Sequence, residues 1–126
     1  MNMRIFYIII FIAMLLFYFL RTRSGATKIS ATELNEKIKS AETCYLLDVR
    51  TPQEYAQGHI PTAILLPDYE VKKSVANLIP EKDGFVVVYC RSGARSAGAA
   101  RTLKSLGYTN VHDLGGIFRW NFDLEK

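Results

Sequence analysis

Short apolar runs recur along this chain: "CYLLDV" at 44–49, "AILL" at 63–66, "FVVVY" at 85–89 and "NVHDL" at 110–114. They read as continuous runs rather than as the strict polar–apolar alternation of a strand with one wet face. Strands of that kind are buried on both sides, as in a parallel sheet covered by helices. Helix signals fall between them. "SATE" from Ser30 to Glu33 fits a capping box, with Leu34 and Ile38 on one face of a helix reaching about Lys39. "TPQE" from Thr51 to Glu54 fits a second box with Pro52 at the first helical position, and Gly58 ends that helix quickly. Val71, Val75, Leu78 and Ile79 recur at helical spacing, and a helix over Ser96 to Leu106 is closed by Gly107. After the last run, "GG" is expected to open a short final helix. The alternation predicts an α/β fold, a mainly parallel central sheet with helices on both faces. In such sheets ligands sit beyond the carboxyl ends of the strands.

One segment stands outside that pattern. Ile5 to Leu20, "IFYIIIFIAMLLFYFL", is sixteen residues without a charge. That is slightly short of the ~17–25 residues of a spanning helix, and flanking Arg4 and Arg21 can snorkel to extend it. The run is read as one N-terminal transmembrane helix, so that the lipid bilayer is a partner through Ile5–Leu20. A cleaved signal peptide is the rival, with "SGA" at 24–26 as its cleavage site, but Arg21 and Arg23 stand between that site and the run. The expected organisation is a membrane anchor over 1–23, a linker over 24–28 and a domain over 29–126, a length suited to one core. The lysine and arginine bias favours a cytoplasmic domain by a small margin and leaves the extracytoplasmic side open.

The net charge of +4 comes mostly from that segment. Setting aside Arg4, Arg21 and Arg23 leaves 13 basic against 12 acidic residues, a net of +1. A nucleic-acid surface is not indicated. The two cysteines, Cys44 and Cys90, are too few and too far apart for a metal site, and their places at opposite ends of parallel strands argue against a disulfide.

Cys90 is the residue on which chemistry converges. It ends the strongest strand, and "RSGARS" from Arg91 to Ser96 follows it. Arg91 and Arg95 bring positive charge, Gly93 lets the loop turn tightly, and the helix that follows points its positive end at the same place. Such a cradle holds an anion on or beside sulfur: a thiolate, a persulfide or an incoming oxyanion. The bland alternative is a small buried cysteine closing a core strand.

Three motifs in order then resemble the single-domain rhodaneses, a sulfurtransferase family: "LLDVRTPQEYAQGHIPTA" at 46–63, "CRSGARS" at 90–96 and "LGGIFRW" at 114–120. The likeness runs from about Ile29 to Trp120 and departs from the family at Thr62, where glycine is usual; a turn, not the chemistry, should change there. The resemblance implies a rhodanese-like fold and a persulfide mechanism. Cys90 is the nucleophile; the backbone of Arg91, Ser92, Gly93, Ala94, Arg95 and Ser96 cradles the transferred sulfur. Arg95, and secondarily Arg91, bind a small anionic sulfur donor such as thiosulfate. The acceptor is a thiol or cyanide, with a protein acceptor open, and no metal or organic cofactor is needed. Phosphatases and arsenate reductases share the fold, but their loops place five residues between cysteine and arginine. Here there are four, a tighter cradle that favours sulfur. A catalytically silent interaction domain is the remaining alternative.

Asp48 and Arg50 would support the loop or form a structural ion pair, the latter being preferred. His59 is expected to hold a turn rather than act as a base, His112 to be partly exposed or structural, Trp120 to anchor the core and Cys44 to be inert.

Overall fold

The computed structural model describes residues 1–22 and 25–126. Arg23 and Ser24, part of the expected anchor flank, cleavage site and linker, lie outside the described residues. The central sheet has five strands, β1 (Thr27–Lys28), β2 (Tyr45–Asp48), β3 (Ile64–Leu65), β4 (Val86–Cys90) and β5 (Val111–Gly116). Their order is β1-β5-β4-β2-β3, and every neighbouring pair is parallel. The helices are α1 (Met3–Thr22), α2 (Ala31–Lys39), α3 (Pro52–Gln57), α4 (Val71–Leu78) and α5 (Ala94–Ser105). Tight 3₁₀ turns at Asp68–Glu70 and Ile117–Arg119 complete the order.

Both faces of the sheet are covered, which is why its strands carry so little polar alternation. On one face Leu47, Val86, Val88 and Cys90 pack with Val71 and Val75 of α4 and with Ala99 and Leu103 of α5. On the other, Leu46, Val87 and Tyr89 pack with Leu34 of α2, Leu114 and Trp120. All of β4 is buried. At ~1.5–3 kcal/mol for each large apolar side chain removed from water, that strand is the spine of the domain.

The helix starts follow their caps. Thr51 Oγ1 accepts from the Glu54 amide while Glu54 Oε1 accepts from the Thr51 amide, a complete capping box. At α2 the Ser30 hydroxyl caps the Glu33 amide, but Glu33 reaches back to that hydroxyl and not to the Ser30 amide. Helix α5 starts at Ala94, two residues before the expected Ser96, because Gly93 takes a left-handed φ of 107° and turns the chain into the helix at once.

Two expectations are corrected. Thr27 and Lys28, read as linker, form an edge strand paired to His112 and Asp113, too short to carry a pattern. The last strand does not stop at Leu114; it runs through the "GG" pair, which then opens the short final helix, a 3₁₀ turn at Ile117–Arg119 with Gly116 as N-cap. Gly115 and Gly116 extend β5 opposite Tyr89 and Cys90, past a bulge that gives β5 one extra residue. Ile5–Leu20, expected as the anchor, lies within α1. The segment is helical and its side chains from Met3 to Phe19 are exposed, but among the described residues no helix is long and apolar enough to cross a membrane.

Thr62 keeps the turn that glycine would make, at a φ of 71°. A β-branched residue is strained there.

Candidate functional site

The sheet delivers Cys90 to its carboxyl edge, in register with Gly116 of β5. The side chain is fully buried at the floor of the loop that follows. The Gly93 amide donates to Cys90 Sγ across 2.9 Å. Ser96 Oγ lies 3.6 Å from the same sulfur, and its hydroxyl donates to the Gly93 carbonyl at 3.0 Å. The loop therefore closes on sulfur with one amide already aimed at it and the first turn of α5 beneath. An electron-rich sulfur is stabilised by that arrangement, since the amide is a fixed donor and the first helical turn carries positive potential.

Glycine on β5 makes room for this closure. A Cβ on Gly116 would fall 2.7 Å from the Arg91 carbonyl and overlap the Phe118 ring. The side of the loop formed by Arg91 thus rests on bare backbone.

Of the two loop arginines, Arg91 is exposed. Arg95 is held: its Nη1 and Nη2 donate to Glu54 Oε1 and Oε2 at 2.7 and 2.9 Å. The guanidinium hydrogen bonds are the main cause holding the Glu54 carboxyl down at about 2 against an ordinary 4.5, and the Thr51 cap adds to them. Arg95 is raised in turn, first by Glu54 and further by the charge of Cys90. The same Glu54 oxygen that caps α3 therefore fixes Arg95 beside the loop.

Asp48 and Arg50 lie under the sheet edge on the face opposite Cys90. Arg50 Nε and Nη2 donate to both Asp48 oxygens at 2.6–3.1 Å, and Nη2 also reaches the Gly58 carbonyl at 2.8 Å. The Tyr89 hydroxyl donates to Asp48 Oδ2 at 2.7 Å and accepts from the Ile60 amide at 3.1 Å. Burial, then the Asp48 charge, pushes the Tyr89 phenol far up. This buried network locks the ends of β2 and β4 to the 58–60 segment, one residue before Cys90.

The histidines are engaged elsewhere. His59 stacks on Tyr55 at 3.8 Å, and its backbone pairs with Glu125 in both directions at 2.8 Å. His112 stacks on Phe85 at 4.0 Å, and burial lowers its pKa. Cys44 is a free thiol whose pKa burial raises. Trp120 is buried, with its indole N–H donating to the Asp123 carbonyl at 3.0 Å. Among the described residues no group of three or more His, Cys, Asp or Glu side chains is placed to hold a metal ion.

Residues without a role in the sequence reading gain one here. Glu54 carried only a capping signal, Tyr89 looked like a core aromatic, and Gly116 was one of a pair. Their roles depend on tertiary neighbours that spacing does not reveal.

The relatives of this chain agree with the geometry. Residues 30–123 match the family model described as a rhodanese-like domain. The chain is 42% identical over 71 residues to a thiosulfate sulfurtransferase, PspE, of Escherichia coli, covering 56% of this chain and 68% of the relative. It is 40% identical over 94 residues to a sulfurtransferase of Allochromatium vinosum, covering 74% and 86%. A solved E. coli rhodanese with anions superposes with a TM-score of 0.63 at 37% identity, over 66% of this chain and 98% of that one. The chain therefore belongs to the rhodanese-like family, with one α/β rhodanese domain of the sulfurtransferase type.

Proposed function

We propose that this protein moves sulfane sulfur from thiosulfate or a persulfide donor to a thiol or cyanide through a persulfide on Cys90. The observation that carries the reading is the Gly93 amide aimed at Cys90 Sγ across 2.9 Å, at the ligand edge of the sheet. The Cys90 thiolate attacks the outer sulfur of thiosulfate. A sulfur–sulfur bond forms to Sγ, the bond to the sulfonate sulfur breaks, and sulfite leaves with the electron pair. The terminal sulfur now carries the negative charge, and the amides of Arg91 to Ser96 cradle it. An acceptor thiolate then attacks that terminal sulfur, the bond to Sγ breaks, and the pair returns to Cys90. Arg95 and Arg91 supply positive charge to the donor; Asp48 and Arg50 hold the strand ends that present the loop.

Intact-mass measurement after thiosulfate treatment tests this. Cys90 should gain the mass of one sulfur atom, lose it to cyanide, and gain nothing in Cys90→Ser. A folded, reduced chain without the adduct overturns the reading. Turnover of p-nitrophenyl phosphate in its place, lost in Cys90→Ser, would make it a phosphatase.

We further propose that residues 1–23 tether the domain over 29–126 to a bilayer, with the domain on the cytoplasmic side. The charge-free run from Ile5 to Leu20 and the exposed apolar side chains through Phe19 support this. Arg4 and Arg21 can snorkel to lengthen the run. Full-length protein should float with phospholipid vesicles, and Ile12→Lys should weaken that. Protein that stays at the bottom of the gradient refutes the tether, and a reporter fusion reads the side.

A further inference from the structure

The charge around the Cys90 loop is unevenly available. Arg95, on one side, is committed to Glu54 by two hydrogen bonds. On the other side a cleft of about 270 Å³ opens between Ser92 and Gly93 of the loop and the Gly115–Arg119 turn. Lys28 and Arg119 line it, and neither makes an ion pair among the described residues. The acid in the cleft is Asp113, whose Oδ1 accepts from the Gly115 amide at 2.8 Å. The lining is therefore net positive by one charge.

Arg119 is placed for use. A Cβ built on Gly115 would meet its Nε at 3.4 Å, so the guanidinium stem lies over Gly115. Gly115 in turn abuts Gly93, whose amide points at the sulfur. Phe118, 71% exposed, offers an apolar wall beside these cations. The cleft approaches the ~300 Å³ lower end of small-molecule sites, which is generous for thiosulfate but suited to a longer molecule that reaches from Arg119 to the Ser92–Gly93 edge of the loop.

We propose that the Lys28–Arg119 cleft is a subsite for the acidic end of the sulfur acceptor, a small thiol bearing a carboxylate or sulfonate, and that Arg119 determines that preference. The proposal rests on the sulfur-transfer reading above. The acceptor thiolate attacks the terminal sulfur of the Cys90 persulfide. A bond forms between the two, the bond to Sγ breaks with its electron pair returning to Cys90, and the acceptor leaves as a persulfide. Its acidic end meanwhile pairs with Arg119, and Phe118 covers the stem between the two ends.

The test uses the full chain, first loaded with thiosulfate, with three acceptors: 3-mercaptopropionate, 2-mercaptoethanol and cyanide. Arg119→Ala should raise KM for 3-mercaptopropionate by about threefold to tenfold, leaving KM for 2-mercaptoethanol and cyanide within twofold. Arg119→Lys should recover part of the loss, and Lys28→Ala should show a smaller loss of the same selectivity. Persulfide loading of each variant, read by mass, reports folding and the first half-reaction. Equal changes for charged and neutral thiols, or none, overturn the subsite while leaving sulfur transfer standing. Absence of the persulfide in the unaltered protein overturns both.

Discussion

Arg95 and Glu54 meet through two hydrogen bonds of 2.7 and 2.9 Å, joining the first turn of α5 to the first turn of α3. The carboxylate serves two masters, since its Oε1 also caps Thr51. Glu54→Gln should therefore cost about 1 kcal/mol, the sum of a part-exposed ion pair and a weakened cap. Chemical denaturation at pH 7 measures it. The pH dependence follows from the direction of the shift. Glu54 is held at about 2 against 4.5 unfolded. Its contribution is complete above about 4.5 and fades as pH falls toward 2. Wild type should lose that stability over this window, and Glu54→Gln should not.

The same substitution leaves the Arg95 charge uncompensated beside the sulfur. KM for thiosulfate should fall, by at most about fivefold given the ~0.2–1 kcal/mol of such pairs. A rise instead would mean that Glu54 aims Arg95 rather than restrains it. Initial rates at varied thiosulfate distinguish the two.

Tyr89 ties Asp48 to the Ile60 amide inside the domain. Tyr89→Phe removes a hydrogen bond to a buried carboxylate and leaves the Ile60 amide without that partner. The expected loss is about 1.5–3 kcal/mol, read from the denaturation midpoint. Persulfide formation should survive at low temperature, because Tyr89 and Cys90 point to opposite faces of the sheet.

Thr62 sits at a φ of 71°. Thr62→Gly removes strain of ~1–3 kcal/mol but adds back ~0.5–1 kcal/mol of unfolded-chain entropy. A net gain of about 1 kcal/mol is expected, with sulfur transfer unchanged. A lower melting temperature would show that the Thr62 side chain compensates for its backbone.

The layered sheet and the loop that closes on Cys90 could be read from the chain because each rests on local pattern. Apolar runs from Tyr45 and Val86 mark strands buried on both faces, and Thr51, Pro52 and Glu54 announce a helix within four residues. Cys90 followed by Gly93 and Arg95 is likewise a short-range signal. The partners of those residues were not legible. Glu54 and Arg95 stand 41 positions apart, as do Asp48 and Tyr89. Which of many acids meets which arginine is decided by strand order, and strand order is not written in any single window. β1 escaped notice for a different reason, since two residues carry no period. That Lys28 and Arg119 flank the other side of the loop is likewise a tertiary fact, set by the pairing of β1 with β5.

The tightest constraint on the site lies on a strand rather than in the loop. Gly116 faces Cys90 in register, and its Cα lies against the Arg91 carbonyl. A methyl group there would lie 2.7 Å from that oxygen and collide with the Phe118 ring. Phe118 is exposed and can swing away at little cost. The Arg91 carbonyl is backbone and can retreat only by moving the loop. Gly116→Ala should thus displace Arg91–Gly93 and lengthen the 2.9 Å contact from the Gly93 amide to the sulfur. Overpacking of this kind costs about 1–3 kcal/mol, so the chain should still fold. Sulfur transfer should suffer more: losing one preorganised donor to a developing anion costs about 10²–10³ in rate where it has been measured in other enzymes. Single-turnover persulfide formation at saturating thiosulfate, beside a melting curve, separates the two effects. Near-normal turnover in a destabilised variant would show that the sulfur does not depend on the Gly93 amide.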